Sequence, residues 1–270
     1  MGPIIEIVRH AEALHNVGIC GHRDSDLTDK GRDQCERLRE EYPHMTDIKY
    51  VVASPLVRAL DTALTGFVMA YKSPVSKVVL LPELQELSTS VTDIGRPLSI
   101  LKNTYGEFID TEHLNDDEHW YWKSLETPFF PTLEKVEERA RVARVFIRQQ
   151  AQNLSDGDRL VVVTHGGFAH HLVQNYAGLK PGSGAGVWQN AKHRSFQFVD
   201  LHGNDDQATL EEIRDENSPN YLTEFADVEK QFAISYLAKL ETSARAAIEA
   251  ERSPPPPDDV DWDKFVVFDE

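Results

Sequence analysis

Cysteine is scarce in this chain: two residues, Cys20 and Cys35, among 270. Two cysteines so spaced supply no disulfide framework of the kind that staples small secreted domains. Free thiols in a reducing compartment are the expectation, and a Cys20–Cys35 bridge stays open. There is no excess of basic residues. Formal net charge is -17, which excludes general binding of nucleic acid or of anionic membrane. Any anion must be bound in a local basic pocket against an unfavourable overall field. No apolar run is long enough to span a bilayer. No charged leader with a small-residue cleavage site precedes the first strand, so a cytoplasmic protein is expected, with a nuclear location also open. With 40% hydrophobic residues, the chain can build one large core.

Short β-branched or aromatic runs alternate with longer helical patterns. IIEIV (4–8), KYVVAS (49–54), KVVLL (77–81), RLVVVT (159–164) and SFQFVDL (195–201) read as strands. Several are continuously apolar, as suits strands buried on both faces of a parallel sheet. Helices are expected over LTDKGRDQCERLREEY with Thr28 as N-cap, over 56–71 after Pro55, and over 133–154. In the last of these, Val136, Ala140, Ala143, Ile147 and Leu154 share a face. The alternation predicts an α/β fold: a three-layer α/β/α sandwich with a mostly parallel central sheet.

Residues 82–132 break the rhythm with four prolines and the aromatic cluster HWYWK (119–123). They read as an insertion over one end of the sheet, a substrate lid or a packed excursion. Trp120, Tyr121 and Trp122 are read as packing residues first and pocket lining second. Residues 1–203 are expected to form the core. A helical extension over 204–252 follows, its pattern starting at Ser218-Pro219 with Phe225, Val228, Phe232, Tyr236 and Leu240 on one face. Residues 253–270 read as a proline-rich spacer and an acidic tail dispensable for chemistry.

The first strand ends on Arg9 and His10, and RLVVVT ends on His165 followed by Gly166 and Gly167. In an open α/β sheet, ligands bind beyond the carboxyl ends of the strands, so the two histidines can face one another there. FAHHLVQNYA reads as a helix whose first amides would favour an anion. KYVVAS leads into SPLVRALDT, which puts Arg58 in the first turn of the next helix. Arginines grip phosphate oxygens with paired donors. Phosphoryl transfer needs positioning and charge cancellation more than covalent chemistry, and a neutral imidazole can be its nucleophile.

These stretches, in order, resemble the histidine phosphatase superfamily, also called phosphoglycerate mutase-like. RHAEALHN (9–16) is similar to the first signature, with Ala11 in a glycine place. DSDLTDKGRDQ, ASPLVRALDTA, PELQE and VTHGGF follow, and VWQNAKHRSFQF resembles the closing strand, with Lys192 where an acid is usual. The match covers roughly residues 4–200, and its wording is most like a fungal-type branch. The resemblance implies phosphorylation of His10. It implies phosphate binding by Arg9, Arg58 and His165, with Asn16 and Gly166 nearby, and Glu86 as proton donor. Asp93 is the rival acid.

His15, His22, His170, His171 and His193 are candidate metal ligands by residue type. His165, His170 and His171 come closest, but no carboxylate or cysteine spacing completes a set. No metal and no cofactor are expected. HRDSD (22–26) reads as a solvated loop, or as polar substrate contacts. The functional expectation is a metal-independent phosphatase of a small phosphorylated metabolite. A phosphoglycerate-type mutase, a redirected enzyme of a specialised pathway and a non-catalytic phosphate-binding scaffold are the alternatives. Oligomeric state is open.

Overall fold

The computed structural model describes residues 2–70, 73–114, 120–181, 185–214 and 226–249. Its spine is a seven-stranded sheet of order β4-β3-β2-β5-β1-β6-β7. The strands are β1 (Ile4–Arg9), β2 (Ile48–Ala53), β3 (Val78–Leu80), β4 (Ile109–Asp110), β5 (Arg159–Thr164), β6 (His193–Phe198) and β7 (Leu210–Glu212). β4, β3, β2, β5 and β1 pair in parallel, while β6 and β7 are antiparallel. The fold is the expected mostly parallel α/β sandwich.

Side chains alternate between two buried layers, as a period of two demands. Val8, Val51, Ala53, Leu80, Val161 and Val163 pack with α1 (Asp29–Glu41) and α2 (Val57–Ala63). Ile5, Ile7, Val52, Leu160, Val162 and Phe196 pack on the other face with α4 (Leu133–Ala151) and α5 (Gly166–Leu172). Thr28 caps α1 as expected, its hydroxyl accepting from Gly31 N–H at 3.0 Å. The helix expected over 56–71 is α-helical only to Ala63 and continues as a π-helical turn over Leu64–Val68.

The structure refines four sequence readings. The 82–132 segment is not only an excursion: it contains α3 (Leu98–Tyr105) and β4, which joins the sheet beside β3. The boundary expected at residue 203 falls inside the β6–β7 hairpin, so the following segment also contributes a strand. In α6 (Ala226–Glu249) the buried face is Glu229, Ala233, Leu237 and Ala244, and Val228 is 47% exposed. Tyr236 and Leu240 of the expected face pack partly buried against the core, and Glu229 accepts from Gly178 N–H at 2.9 Å. HRDSD is not solvated throughout, since Asp24 and Ser25 are fully buried and Asp24 accepts from Val57 N–H at 3.0 Å.

Phe225, the 215–225 stretch and the whole 253–270 tail lie outside the described residues. Both cysteines are free, Cys20 exposed and Cys35 buried. Among the described residues, no helix is long and apolar enough to cross a membrane.

Candidate active site

Strand register assembles the site. Arg9 pairs with Thr164 across β1 and β5, so His10 and His165 leave adjacent strands side by side. His10 N–H donates to Thr164 O at 2.9 Å, and Ser54 N–H donates to Val163 O at 2.9 Å. Three neighbouring strand ends therefore deliver Ser54, His165 and His10 in a row. The two imidazole centroids are 5.1 Å apart.

The His10 tautomer follows from one hydrogen bond. Nδ1 lies 2.7 Å from Ala11 O. A carbonyl only accepts, so Nδ1 carries the proton and Nε2 keeps its lone pair. Burial holds the His10 pKa well below the ordinary histidine range, and the charges of Arg58 and Arg9 push the same way. His165 is likewise held neutral, chiefly by burial. Its Nε2 lies 2.8 Å from the Ser54 hydroxyl.

Arg58 is fully buried and donates to Thr92 O at 2.8 Å and to Asp93 Oδ1 at 2.6 Å. Arg9 donates to Trp188 O at 2.7 Å. Around His10, the Arg9 Nε, Arg58 Nε, His165 Nδ1 and His15 Nδ1 atoms are all buried with no protein partner. Buried polar groups demand hydrogen bonds, and one anion with several acceptor oxygens would answer the guanidinium donors together. Gly166 is needed for packing: a Cβ there would lie 2.8 Å from Ala185 Cβ and 3.2 Å from Arg9 Nε.

The first turn of α5 does not wait empty for phosphate, contrary to the sequence reading. Two of its amides are taken by Glu86. Phe168 N–H donates to Oε1 at 3.0 Å and Gly167 N–H to Oε2 at 3.2 Å. Burial raises the Glu86 pKa, and nearby Asp93 raises it further, against Arg58 and the Gly167 and Leu87 amides. For Asp93, burial acts upward too, but Arg58, Lys123 and the Ser88 hydroxyl outweigh it and the pKa is lowered. Glu86 and Asp93 both come from the 82–132 segment, which folds against the strand ends.

Several groups escaped the sequence reading. Lys123 is buried and donates to Glu86 O at 2.8 Å and Ser88 O at 2.6 Å. Burial pushes it down to about 7, with Arg139 and Arg58 adding to the shift. Arg139 of α4 lies over the Phe168 ring at 4.5 Å. Asn190 donates to His10 O at 2.9 Å and to Asn16 Oδ1 at 3.2 Å. The sequence marks His15 only as a candidate metal ligand, yet its ring centroid sits 5.5 Å from that of His10. Asn16 is exposed and touches His15 and Asn190. Trp120 and Tyr121 are packing residues, as read: a Cβ on Gly95 would fall 2.1 Å from the Trp120 ring. Lys192 is exposed.

Residues 5–216 match the histidine phosphatase superfamily (branch 1). The chain belongs to that superfamily. Among curated relatives of this histidine phosphatase is a probable phosphatase of Schizosaccharomyces pombe. It is 28% identical over 174 residues, which is 60% of this chain and 73% of the relative. Phosphoglycerate mutase-like protein 4 of Arabidopsis thaliana is 28% identical over 177 residues, 63% of this chain and 69% of that protein. The solved structure of an ecdysone phosphate phosphatase from the silkworm, in complex with tungstate, shares the fold. Its TM-score is 0.50 at 16% identity, over 84% of this chain and 99% of that one.

Proposed function

We propose that this chain is a metal-independent phosphatase that hydrolyses a small phosphorylated metabolite through a phosphohistidine at His10. The observation that carries the reading is the neutral His10 imidazole, its Nδ1–H spent on Ala11 O and its Nε2 free beside two arginines. Nε2 attacks phosphorus and the P–O bond to the leaving group breaks. Glu86 gives its proton to the departing oxygen, because an alkoxide leaves poorly unprotonated. Arg9 and Arg58, with His165, balance the charge on the equatorial oxygens, as positioning and electrostatics dominate this chemistry. Water then attacks the phosphohistidine, its proton passing to the Glu86 carboxylate. The N–P bond breaks and inorganic phosphate leaves.

A small ester suits the burial: His10 is 1% exposed and His165 is 0% exposed. The phosphatase-named relative points the same way. We divide the chain correspondingly into the core with its 82–132 cover, the extension carrying α6, and the tail. Phosphate release should be measured over sugar phosphates, nucleotides and phosphopeptides, with and without EDTA. Release from a small ester, unaffected by chelation, is expected. No release from any, or a loss rescued by Zn²⁺ or Mg²⁺, would contradict the proposal.

A further inference from the structure

We infer that His15 is a third imidazole of the site, a neutral hydrogen-bond donor to a phosphoryl oxygen, with its tautomer set by Asn16. This rests on the phosphatase reading and deepens it.

Backbone chemistry fixes the chain of donors. Ala13 N–H donates to Asn16 Oδ1 at 3.0 Å, and a backbone N–H can only donate. Asn190 Nδ2 donates to the same oxygen. The amide of Asn16 is thereby oriented, and its Nδ2 faces His15 Nε2 at 3.0 Å. An NH₂ group has no lone pair to offer, so Nε2 accepts and the His15 proton resides on Nδ1. That Nδ1 is buried and has no protein partner. An unmet buried N–H beside the unmet Nε groups of Arg9 and Arg58 marks a donor waiting for an oxygen.

His15 remains uncharged at working pH. Burial lowers its pKa to about 4, Arg58 and Arg9 add to this, and Asp93 only partly opposes. Neutrality has a purpose here. Nε2 of His10 gains positive charge as it takes up phosphorus, and a third cation facing it would oppose that step. A neutral donor bonds the phosphoryl oxygen without that repulsion. Asn16, expected among the phosphate contacts, spends one of its two amide N–H bonds on His15 Nε2 and in that respect acts through His15 as a positioning residue.

The test combines nitrogen-15 spectra of the histidine rings with kinetics. Wild-type His15 should show the Nδ1–H tautomer, and inorganic phosphate should shift that proton resonance. Asn16→Asp offers Nε2 only acceptors, so the spectrum should change to the Nε2–H or the cationic form. His15→Phe should cost about 10- to 100-fold in kcat/KM, the loss of one hydrogen bond to a charged group. His15→Asn, whose amide nitrogen falls near the Nδ1 place, should cost clearly less. Asn16→Asp should add nothing in the His15→Phe background. An Nε2–H tautomer in wild type, no response to phosphate, or additive losses would overturn the inference. If wild type forms no phosphohistidine at all, the functional reading falls, while the tautomer and its response to phosphate still decide this one.

Discussion

Arg58 holds Asp93 at 2.6 Å inside the protein, and this ion pair separates two buried acids. Asp93 is kept ionised, and its charge in turn helps Glu86 keep a proton. Two carboxyl groups pushed apart in this way are a recurring means of assigning acid roles. Glu86→Gln should therefore lose about 100-fold or more in kcat on an alkyl phosphate, and far less on an aryl phosphate whose leaving group departs without a proton. An equal loss on both would mean positioning only. The selective loss in Asp93→Asn, but not in Glu86→Gln, would move the acid there.

The pH profile has a sign that follows from the same pair. Glu86 must be protonated to act, and its pKa is raised. Rate should hold at lower pH and fall as pH rises through that raised value. His10 stays neutral because its own pKa lies well below 6.5. Profiles of kcat/KM should show an alkaline limb in wild type that vanishes in Glu86→Gln. An alkaline limb unchanged in that variant would assign it to another group.

Lys123 ties the backbone of Glu86 and Ser88 together. Lys123→Met leaves two part-buried carbonyls without their donor, at a cost of about 1 kcal/mol each. It also removes a positive charge near Glu86, so the alkaline limb should move to higher pH. Denaturant unfolding and the pH profile check the two effects separately. A limb that moves to lower pH would contradict the electrostatic account.

Glu6 lies in the middle of β1, fully buried among Arg159, His193 and Ser195. Burial alone would raise its pKa, but these partners lower it below the usual 4.5. A depressed carboxylate contributes stability above its unfolded pKa and loses it as pH falls through the folded one. Glu6→Gln leaves Arg159 without its charge partner and should destabilise by about 3 kcal/mol near neutral pH, with the deficit shrinking below pH 4.5. Urea unfolding at the two pH values measures this. A deficit that grows on acidification would reverse the assignment.

The fold was legible where the chain states one period over several residues. β1 is apolar but for Glu6 and its last residue, Arg9, and β5 is apolar from Leu160 to Val163, because both faces are covered; Thr28 announces α1 through its cap. β4 and β7 were not legible. Two and three residues are too short to show alternation, and pairing with a neighbour makes them strands. In α6 the large apolar residues suggested one face, and Tyr236 and Leu240 do pack on the core, but the most buried positions include the small Ala233 and Ala244, which carry little pattern.

Among the site residues, Arg9, His10 and His165 could be read because strand ends carry them, Arg58 because it opens the helix after β2, and the motifs flag all four. The places of Lys123 and Asn190 could not, since only tertiary folding brings them to the strand ends; Ser54 ends a strand in the sequence, but its contact with His165 needs the register of β2 against β5. His15 sat in plain view within RHAEALHN. Its tautomer, however, depends on an amide whose orientation only the folded turn defines.

Covalent trapping on His10 tests the central claim most directly. Wild type quenched during turnover of a labelled phosphoester should carry phosphate that is acid-labile and base-stable, at His10, and His10→Ala should carry none. Label persisting in His10→Ala, or turnover in wild type with no such adduct after rapid quenching, would contradict the account.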